Sequence, residues 1–91
     1  MDNHPAVSVI IPMWNAEDVI AEAIASVQAQ SRGDFEILVI DDRSTDQSRA
    51  IVAKMAARDP RIRALQNTGA KGPGPARNIG ISAAQGRFIA F

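Results

Sequence analysis

Short apolar runs alternate with longer amphipathic segments along the whole chain. The strongest run covers residues 35–40 and is followed at once by two carboxylates, Asp41 and Asp42. Its large aliphatic residues, 37–40, are too few for a buried helix and predict a strand covered on both faces, as in a parallel sheet. Because side chains alternate along a strand, the two carboxylates should diverge at its carboxyl end, where open α/β sheets bind ligands.

The order of the predicted elements is βαβαβαβ. The four predicted strands are residues 7–11, 35–40, 62–65 and 87–91. Strands that alternate with helices favour a parallel sheet with right-handed crossovers and helices on both faces. The sequence therefore predicts an α/β fold, a three-layer Rossmann-like sheet.

Polar caps and breakers set the predicted helix ends. The first helix follows Asn15 as its N-cap, and the second covers residues 46–58 with Ser44 as its N-cap. The third is expected to run from Pro75 to just before Gly86, which should end it in a left-handed conformation.

Composition narrows the possible functions. The 91-residue chain has no cysteine, which excludes disulfide frameworks and thiolate zinc sites. Its single histidine, His4, lies near the amino terminus and is a poor catalytic candidate. No apolar run approaches the roughly 20 residues of a membrane span, and the first five residues do not form a signal peptide. A soluble, cytoplasmic protein is expected.

Charge is distributed unevenly although the net charge is zero. Every acidic residue lies at or before Asp59, whereas all five charged residues after Pro60 are basic. This asymmetry indicates an anion bound near the later segments, or a chance distribution in a short chain.

Asp42 is the first candidate binding residue. A carboxylate at the end of a central strand can accept the N3–H of uracil, a donor that cytosine lacks, and such a bond contributes about 1.5–3 kcal/mol. The alternative is that Asp41 or Asp42 caps a loop or pairs with Arg43 or Arg77. For Asp41 the structural role is favoured.

Trp14 and Arg77 are the next candidates. Trp14 follows the first strand and can stack on a base, or close the entrance of the first helix through an apolar contact. Arg77 lies in the first turn of the third helix, where its guanidinium and the helix dipole can hold a diphosphate. A salt bridge from Arg77 to Asp42 or Asp46 is the alternative.

Glycine and proline dominate the segment before the third helix. Residues 69–75 resemble a phosphate-binding loop only loosely, without the spacing of known phosphate motifs, and are expected to be a flexible linker. Gly80 would cost its helix roughly 1 kcal/mol relative to alanine, so close packing against a strand is expected there.

Three segments in series, residues 7–15, 39–46 and 67–80, resemble the N-terminal nucleotide-binding region of the family 2 glycosyltransferases, which have the GT-A fold. The resemblance implies an inverting transfer of sugar from a nucleotide diphosphate donor, usually a UDP-sugar, to an unknown acceptor. It implies that Pro12 and Trp14 border the base, that Asp42 accepts from uracil, and that Arg77 faces the nucleotide and its phosphates. Together with the alternation of elements, it predicts the strand order 3-2-1-4.

The resemblance covers only the front part of a family catalytic domain. Residues 1–91 are therefore expected to be the nucleotide-sugar-binding part, truncated before the family's D-x-D metal motif. The full enzyme is expected to use Mn²⁺ or Mg²⁺ with ligands outside this chain, so no metal ligand or catalytic residue is assigned here. The fragment alone should be inactive, and its C-terminal edge strand, with Ile89 and Phe91, should favour self-association.

Two other protein classes fit part of the pattern. A receiver-like signalling domain has a similar acidic pocket but needs a further aspartate after a later strand, and none follows Asp59. A non-catalytic interaction fragment is the other alternative. A Rossmann oxidoreductase is disfavoured because no glycine follows the first strand until Gly33.

Overall fold

A computed structural model describes residues 5–30 and 33–91, so the interpretation of His4 lies outside the described residues. The strands are β1 (Val7–Met13), β2 (Phe35–Asp41), β3 (Ile62–Gln66) and β4 (Phe88–Ala90). The helices are α1 (Ile20–Gln28), α2 (Ser48–Arg58) and α3 (Pro73–Ala83).

The four strands form one parallel sheet in the order β3-β2-β1-β4, which confirms the predicted order. All seven residues of β2 are buried, as expected for a strand covered on both faces. On one face, Ile24 of α1 and Val52 of α2 belong to the same apolar cluster as Ile37. On the other face, Ala76 of α3 packs with Leu38. The three-layer α/β fold is therefore confirmed.

Gly80 allows α3 to lie directly on the sheet. A Cβ at this position would lie 2.5 Å from Cγ2 of Ile10 and 2.9 Å from Cδ1 of Ile40. The close packing predicted for this mid-helix glycine is confirmed, and it fixes the depth at which α3 sits on β1 and β2.

A buried polar network joins β4 to the amino ends of the other strands. Glu36, in β2, accepts hydrogen bonds from the Ser8 hydroxyl (2.6 Å), the Gln85 backbone N–H (2.7 Å) and the Arg63 guanidinium (3.1 Å). Burial by itself raises the pKa of Glu36, but these hydrogen bonds and the positive charge of Arg63 outweigh it and hold the pKa below its ordinary value. The Ser8 hydroxyl also accepts from the Gly86 N–H at 2.8 Å, so the network anchors the α3–β4 connection.

The first two helices begin later than their predicted caps. Asn15 has a positive φ of 45° and does not cap α1, whose N-cap position is Val19. Ser44 does not cap α2, which begins at Ser48. Both predictions were wrong for the same reason, because the polar side chains bond across to the neighbouring loop instead of to their own helices.

The third helix starts earlier than predicted and ends differently. It begins at Pro73, after Gly72 at a φ of 119°, so the expected flexible linker is helical over its last three residues. Gly86 is not in the left-handed conformation that was predicted for it. A Cβ there would lie 2.6 Å from the backbone nitrogen of Ser8, so glycine is needed for space.

Candidate nucleotide-binding site

The carboxyl ends of three strands meet at one edge of the sheet. Met13, Asp41 and Gln66 are register partners at the ends of β1, β2 and β3. The Asp42 N–H donates to the Met13 carbonyl and the Asn67 N–H donates to the Asp41 carbonyl, both at 2.8 Å. The backbone ladder thus extends one residue past the sheet and places the candidate carboxylates on an ordered edge.

The two carboxylates diverge, as predicted. Asp41 is buried, accepts from the Ser44 N–H at 3.3 Å, and lies 3.7 Å from the Arg49 guanidinium. This arrangement agrees with the structural role favoured for Asp41. Asp42 faces the other side, towards the segment before α3.

Asp42 is held by three protein donors. Its Oδ1 atom accepts from the Asn67 side-chain amide at 2.9 Å and from Arg43 at 3.3 Å. Its Oδ2 atom accepts from the Gly72 N–H at 2.9 Å. Asp42 therefore anchors the loop and pairs with Arg43, which is the structural role considered for it, and its side chain keeps 13% exposure.

The segment between β3 and α3 is fixed by the buried side chain of Asn67. Its amide nitrogen donates to the Ala70 carbonyl at 2.8 Å, and its amide oxygen accepts from the Gly69 N–H at 3.1 Å. Arg43 also donates to the Gly69 carbonyl. Residues 69–72 are consequently an anchored loop, and the prediction of a flexible linker was wrong there.

Arg43 has a backbone conformation that favours glycine. Its φ is +64°, in the left-handed region that a non-glycine residue occupies at some energetic cost. The conformation lets its guanidinium reach both Asp42 and Gly69. Backbone strain at the strand end therefore accompanies the ordering of Asp42.

A shallow cleft lies beside Asp42 and brings together three of the four predicted site residues. Its lining consists of Pro12, Met13, Trp14, Asp42, Gly72, Pro73 and Ala76. The cleft measures about 210 Å³, less than the roughly 300–1,000 Å³ typical of complete small-molecule sites. Trp14 is 66% exposed, so most of the residue is accessible to a ligand.

Arg77 is not part of the cleft lining. It is exposed in the first half of α3, and its guanidinium lies over the Phe91 ring, 5.9 Å from the centroid. Within residues 5–30 and 33–91, no ion pair joins Arg77 to Asp42 or Asp46, the alternative considered above. Its predicted contact with phosphate thus remains a prediction.

Two other basic residues after Pro60, Arg61 and Arg63, form ion pairs within the fold. Arg61 pairs with Asp59 at 2.8 Å and holds the pKa of that carboxyl well below its ordinary range. Arg63 pairs with Glu36 at 3.1 Å. These two cations serve structural pairs, whereas Lys71 and Arg77 are exposed charges near the loop and α3.

The loops that flank the cleft exchange hydrogen bonds. Residues 15–17 and 44–48 are joined by five backbone-to-side-chain bonds that run in both directions. The donor and acceptor pairs are Asn15 N to Ser44 Oγ, Ala16 N to Ser48 Oγ, Glu17 N to Asp46 Oδ2, Thr45 N to Asn15 Oδ1 and Gln47 N to Glu17 Oε2, at 2.7–3.1 Å. Trp14 therefore projects from an ordered double loop.

The described part of the chain contains no cluster of three or more His, Cys, Asp or Glu side chains that could hold a metal ion. In the same residues, no helix is both long and apolar enough to cross a membrane.

Comparison with known proteins identifies the family and the fold. The sequence matches the model of the family described as Glycosyl transferase family 2 over residues 8–91. The chain belongs to glycosyl transferase family 2. This assignment confirms the resemblance found in the sequence and removes the receiver-domain alternative.

Relatives of this family member are glycosyltransferases. An Escherichia coli protein named UDP-Glc:alpha-D-GlcNAc-diphosphoundecaprenol beta-1,3-glucosyltransferase WfgD is 45% identical over 91 residues, which are 100% of this chain and 35% of that protein. The structure of Staphylococcus aureus TarS 1-349 in complex with UDP has a TM-score of 0.82 at 36% identity, covering 91% of this chain and 25% of that one.

A second solved structure supports the same fold. The mannosyltransferase PcManGT from Pyrobaculum calidifontis, in complex with GDP-Man and Mn²⁺, has a TM-score of 0.83 at 28% identity, covering 94% of this chain and 26% of that one. The fold of the family 2 chain is therefore of the GT-A type. The chain spans only about a quarter to a third of the length of these proteins.

Sequence reasoning missed the roles of Asn67 and Arg43, which organise the site. Asn67 and Gly69 were recognised as part of a family motif, but no role was assigned to the Asn67 side chain. An Asn-x-Gly sequence after a strand is typical of a side-chain-stabilised turn, and that signal could have identified it. No signal in the sequence indicated the positive φ of Arg43.

Proposed function

We propose that this chain is the nucleotide-binding part of a glycosyltransferase that transfers a sugar, with inversion, from a UDP-sugar to an acceptor. The observation that carries the proposal is the cleft that places the exposed Trp14 indole and the Asp42 carboxylate together at the carboxyl edge of a parallel sheet. Ligands of open α/β sheets bind at this edge. The family assignment agrees with the proposal.

Each site residue has a proposed task. Pro12 and Trp14 border the base, with the indole stacked on it, and Asp42 accepts the N3–H of uracil. Arg77 faces the nucleotide and attracts its phosphates as an exposed charge, because it lies in the first half of α3, next to the cleft residue Ala76. Binding by exposed cations should be weak and sensitive to salt.

Metal and chemistry are assigned to the rest of the protein. We propose that residues 1–91 are one part of a longer catalytic domain, since the matched relatives are about three to four times as long. Mn²⁺ or Mg²⁺, bound by ligands outside this chain, would neutralise the diphosphate leaving group. The chain alone should therefore bind nucleotide without transferring sugar, and the whole protein is proposed to act in the cytoplasm.

Base recognition provides the direct test. Trp14 is the only tryptophan, so quenching of its fluorescence reports a base that stacks on it. Titration of the purified chain with UDP and with CDP, followed by fluorescence and calorimetry, should give tighter binding of UDP. Asp42→Asn should weaken UDP by about 1–2 kcal/mol, roughly 5- to 30-fold in Kd.

Two control variants separate specific recognition from general charge. Asp18→Asn removes the same charge from an exposed position and should leave the UDP affinity unchanged. Asp41→Asn should have a much smaller effect on UDP affinity than Asp42→Asn, because Asp41 faces Arg49 and Ser44. Equal losses in the Asp41 and Asp42 variants, or no preference for UDP over CDP, would refute the proposal.

A further inference from the structure

We infer that Asn67 is a positioning residue that sets the base selectivity of the site by occupying one of the acceptor positions of Asp42. The inference rests on the proposed function and deepens it. Its basis is the hydrogen-bond geometry around the Asp42 carboxylate, which the structure describes atom by atom.

The Asn67 amide has only one orientation that satisfies its surroundings. Its nitrogen faces two acceptors, Oδ1 of Asp42 at 2.9 Å and the Ala70 carbonyl at 2.8 Å, whereas its oxygen faces the Gly69 N–H at 3.1 Å. A flipped amide would set its oxygen against a carboxylate and a carbonyl, and its nitrogen against a donor. Because the side chain is 2% exposed, water cannot easily replace these bonds.

The number of open acceptor positions on Asp42 determines which base donors it can accept. An ionised carboxylate offers about four lone-pair positions, two on each oxygen. Asn67 and Arg43 occupy both positions on Oδ1, and the Gly72 N–H occupies one on Oδ2. One acceptor position, on Oδ2, is left for a ligand.

A single open position fits uracil better than guanine. Uracil presents one N3–H donor, flanked by two carbonyl groups. Guanine presents N1–H and the exocyclic N2–H together, and a carboxylate receives this pair through both of its oxygens. With Oδ1 filled, the second guanine donor would lose its water partner without gaining a new one, which is costly in a partly buried site.

The charged groups around Asp42 are few. Arg43 faces it from the β2–α2 connection, and Lys71 lies next to Gly72 in the loop before α3. Asp41 points away towards Arg49, and the cleft residues contributed by β1 carry no charge. Selectivity between two nucleoside diphosphates of equal charge therefore depends on the donors at Oδ1.

The test compares the affinities of UDP and GDP for the purified chain by calorimetry. Wild type should bind UDP more tightly than GDP. Asn67→Ala frees one position on Oδ1, so the ratio of the GDP Kd to the UDP Kd should fall by about tenfold, the effect of one hydrogen bond to a charged group. Asn78→Ala, which changes an exposed asparagine of α3, is the matched control and should keep the wild-type ratio.

Two further variants keep the test decisive if Asn67→Ala does not fold, as judged by circular dichroism. Asn67→Ser introduces a shorter side chain, whose hydroxyl oxygen can accept from the Gly69 N–H but cannot reach Asp42. This variant should also lower the ratio of the GDP Kd to the UDP Kd. Arg43→Ala frees the other position on Oδ1 and should change the ratio in the same direction. The effect should be smaller, because the Arg43 contact is longer at 3.3 Å.

The possible results distinguish failure of the inference about Asn67 from failure of the proposed function. Folded Asn67 variants that weaken UDP and GDP equally would give Asn67 a structural role only and overturn the inference, while the proposed function stands. Wild type that prefers GDP would overturn the count of acceptor positions but not nucleotide binding. Wild type that binds neither nucleotide would overturn the proposed function and the inference together.

Discussion

Gly86→Ala should be the most destabilising single-methyl change in the α3–β4 connection. Built on the present backbone, the new Cβ would lie 2.6 Å from the Ser8 nitrogen, 2.7 Å from the Ser8 Oγ and 2.8 Å from the Val7 carbonyl carbon. Two of these three atoms belong to the backbone of β1, in the middle of the sheet, and cannot rotate away. The segment at residue 86 must therefore move outward.

The energetic cost has two parts. Overpacking of an ordered site costs about 1–3 kcal/mol. Outward movement also weakens the bond from the Gly86 N–H to Ser8 and the neighbouring bond from the Gln85 N–H to Glu36, at 2.8 and 2.7 Å, and each such bond contributes about 1 kcal/mol. The expected loss is about 2–4 kcal/mol. A domain of this size has a total stability of roughly 5–14 kcal/mol, so the loss is a large fraction.

Thermal unfolding followed by circular dichroism measures the effect. At about 4–8 °C per kcal/mol, the melting temperature of Gly86→Ala should fall by roughly 8–30 °C. Gly74→Ala is the matched control, since its Cβ meets no atom within 4 Å and alanine favours the helix, so it should melt at the same temperature or slightly higher. A Gly86→Ala protein that melts within 2 °C of wild type, on the order of half a kcal/mol or less, would refute the reasoning.

Three further predictions concern other features of the fold. The pKa of Glu36 is lower in the folded state than in the unfolded state, so its ionised carboxylate stabilises the fold fully above the unfolded-state pKa, and this stabilisation is lost as pH falls through the folded-state pKa. Urea unfolding of Glu36→Gln should therefore show a flatter pH dependence of stability than wild type below about pH 4.5. Ser48→Ala removes a buried hydroxyl between the loops beside the cleft and should cost about 1–3 kcal/mol in urea unfolding, whereas Ser82→Ala on the surface should cost almost nothing. Self-association through the C-terminal edge strand stays a prediction: sedimentation velocity should show a larger species at high concentration that Ile89→Ser and Phe91→Ser reduce, and a strictly monomeric wild type would contradict it.

The fold was predictable because its signals are local. Continuous apolar runs separated by helical periodicity defined the strands, and the alternation of elements with the family resemblance predicted the order of the sheet. The burial of all seven residues of β2 and the close packing at Gly80 followed from the same reasoning. Each of these predictions used patterns in residues that are near one another in sequence, although the contacts they predict are between distant segments.

The helix starts and the site were less predictable because their partners are distant in sequence. Asn15 has the composition of a helix cap, yet its side chain bonds to Thr45, about thirty positions away. Asp42 was recognised as a carboxylate at the right edge, but two of its three donors, Asn67 and Gly72, lie in the β3–α3 segment, 25 and 30 positions away. Arg77 was predicted in the first turn of the third helix, but it lies in the second turn because α3 already begins at Pro73. The direction of its side chain towards Phe91 could not be inferred from the sequence.

The bonds between residues 15–17 and 44–48 have a consequence for the kinetics of ligand binding. Two loops that satisfy each other's backbone groups lose their conformational freedom when the protein folds, not when a ligand arrives. A base that stacks on Trp14 would meet a surface that is already ordered, and no loop has to close before contact is made. Association is then limited by diffusion and orientation, and differences in affinity among variants of the cleft should appear chiefly as differences in how long the nucleotide stays bound.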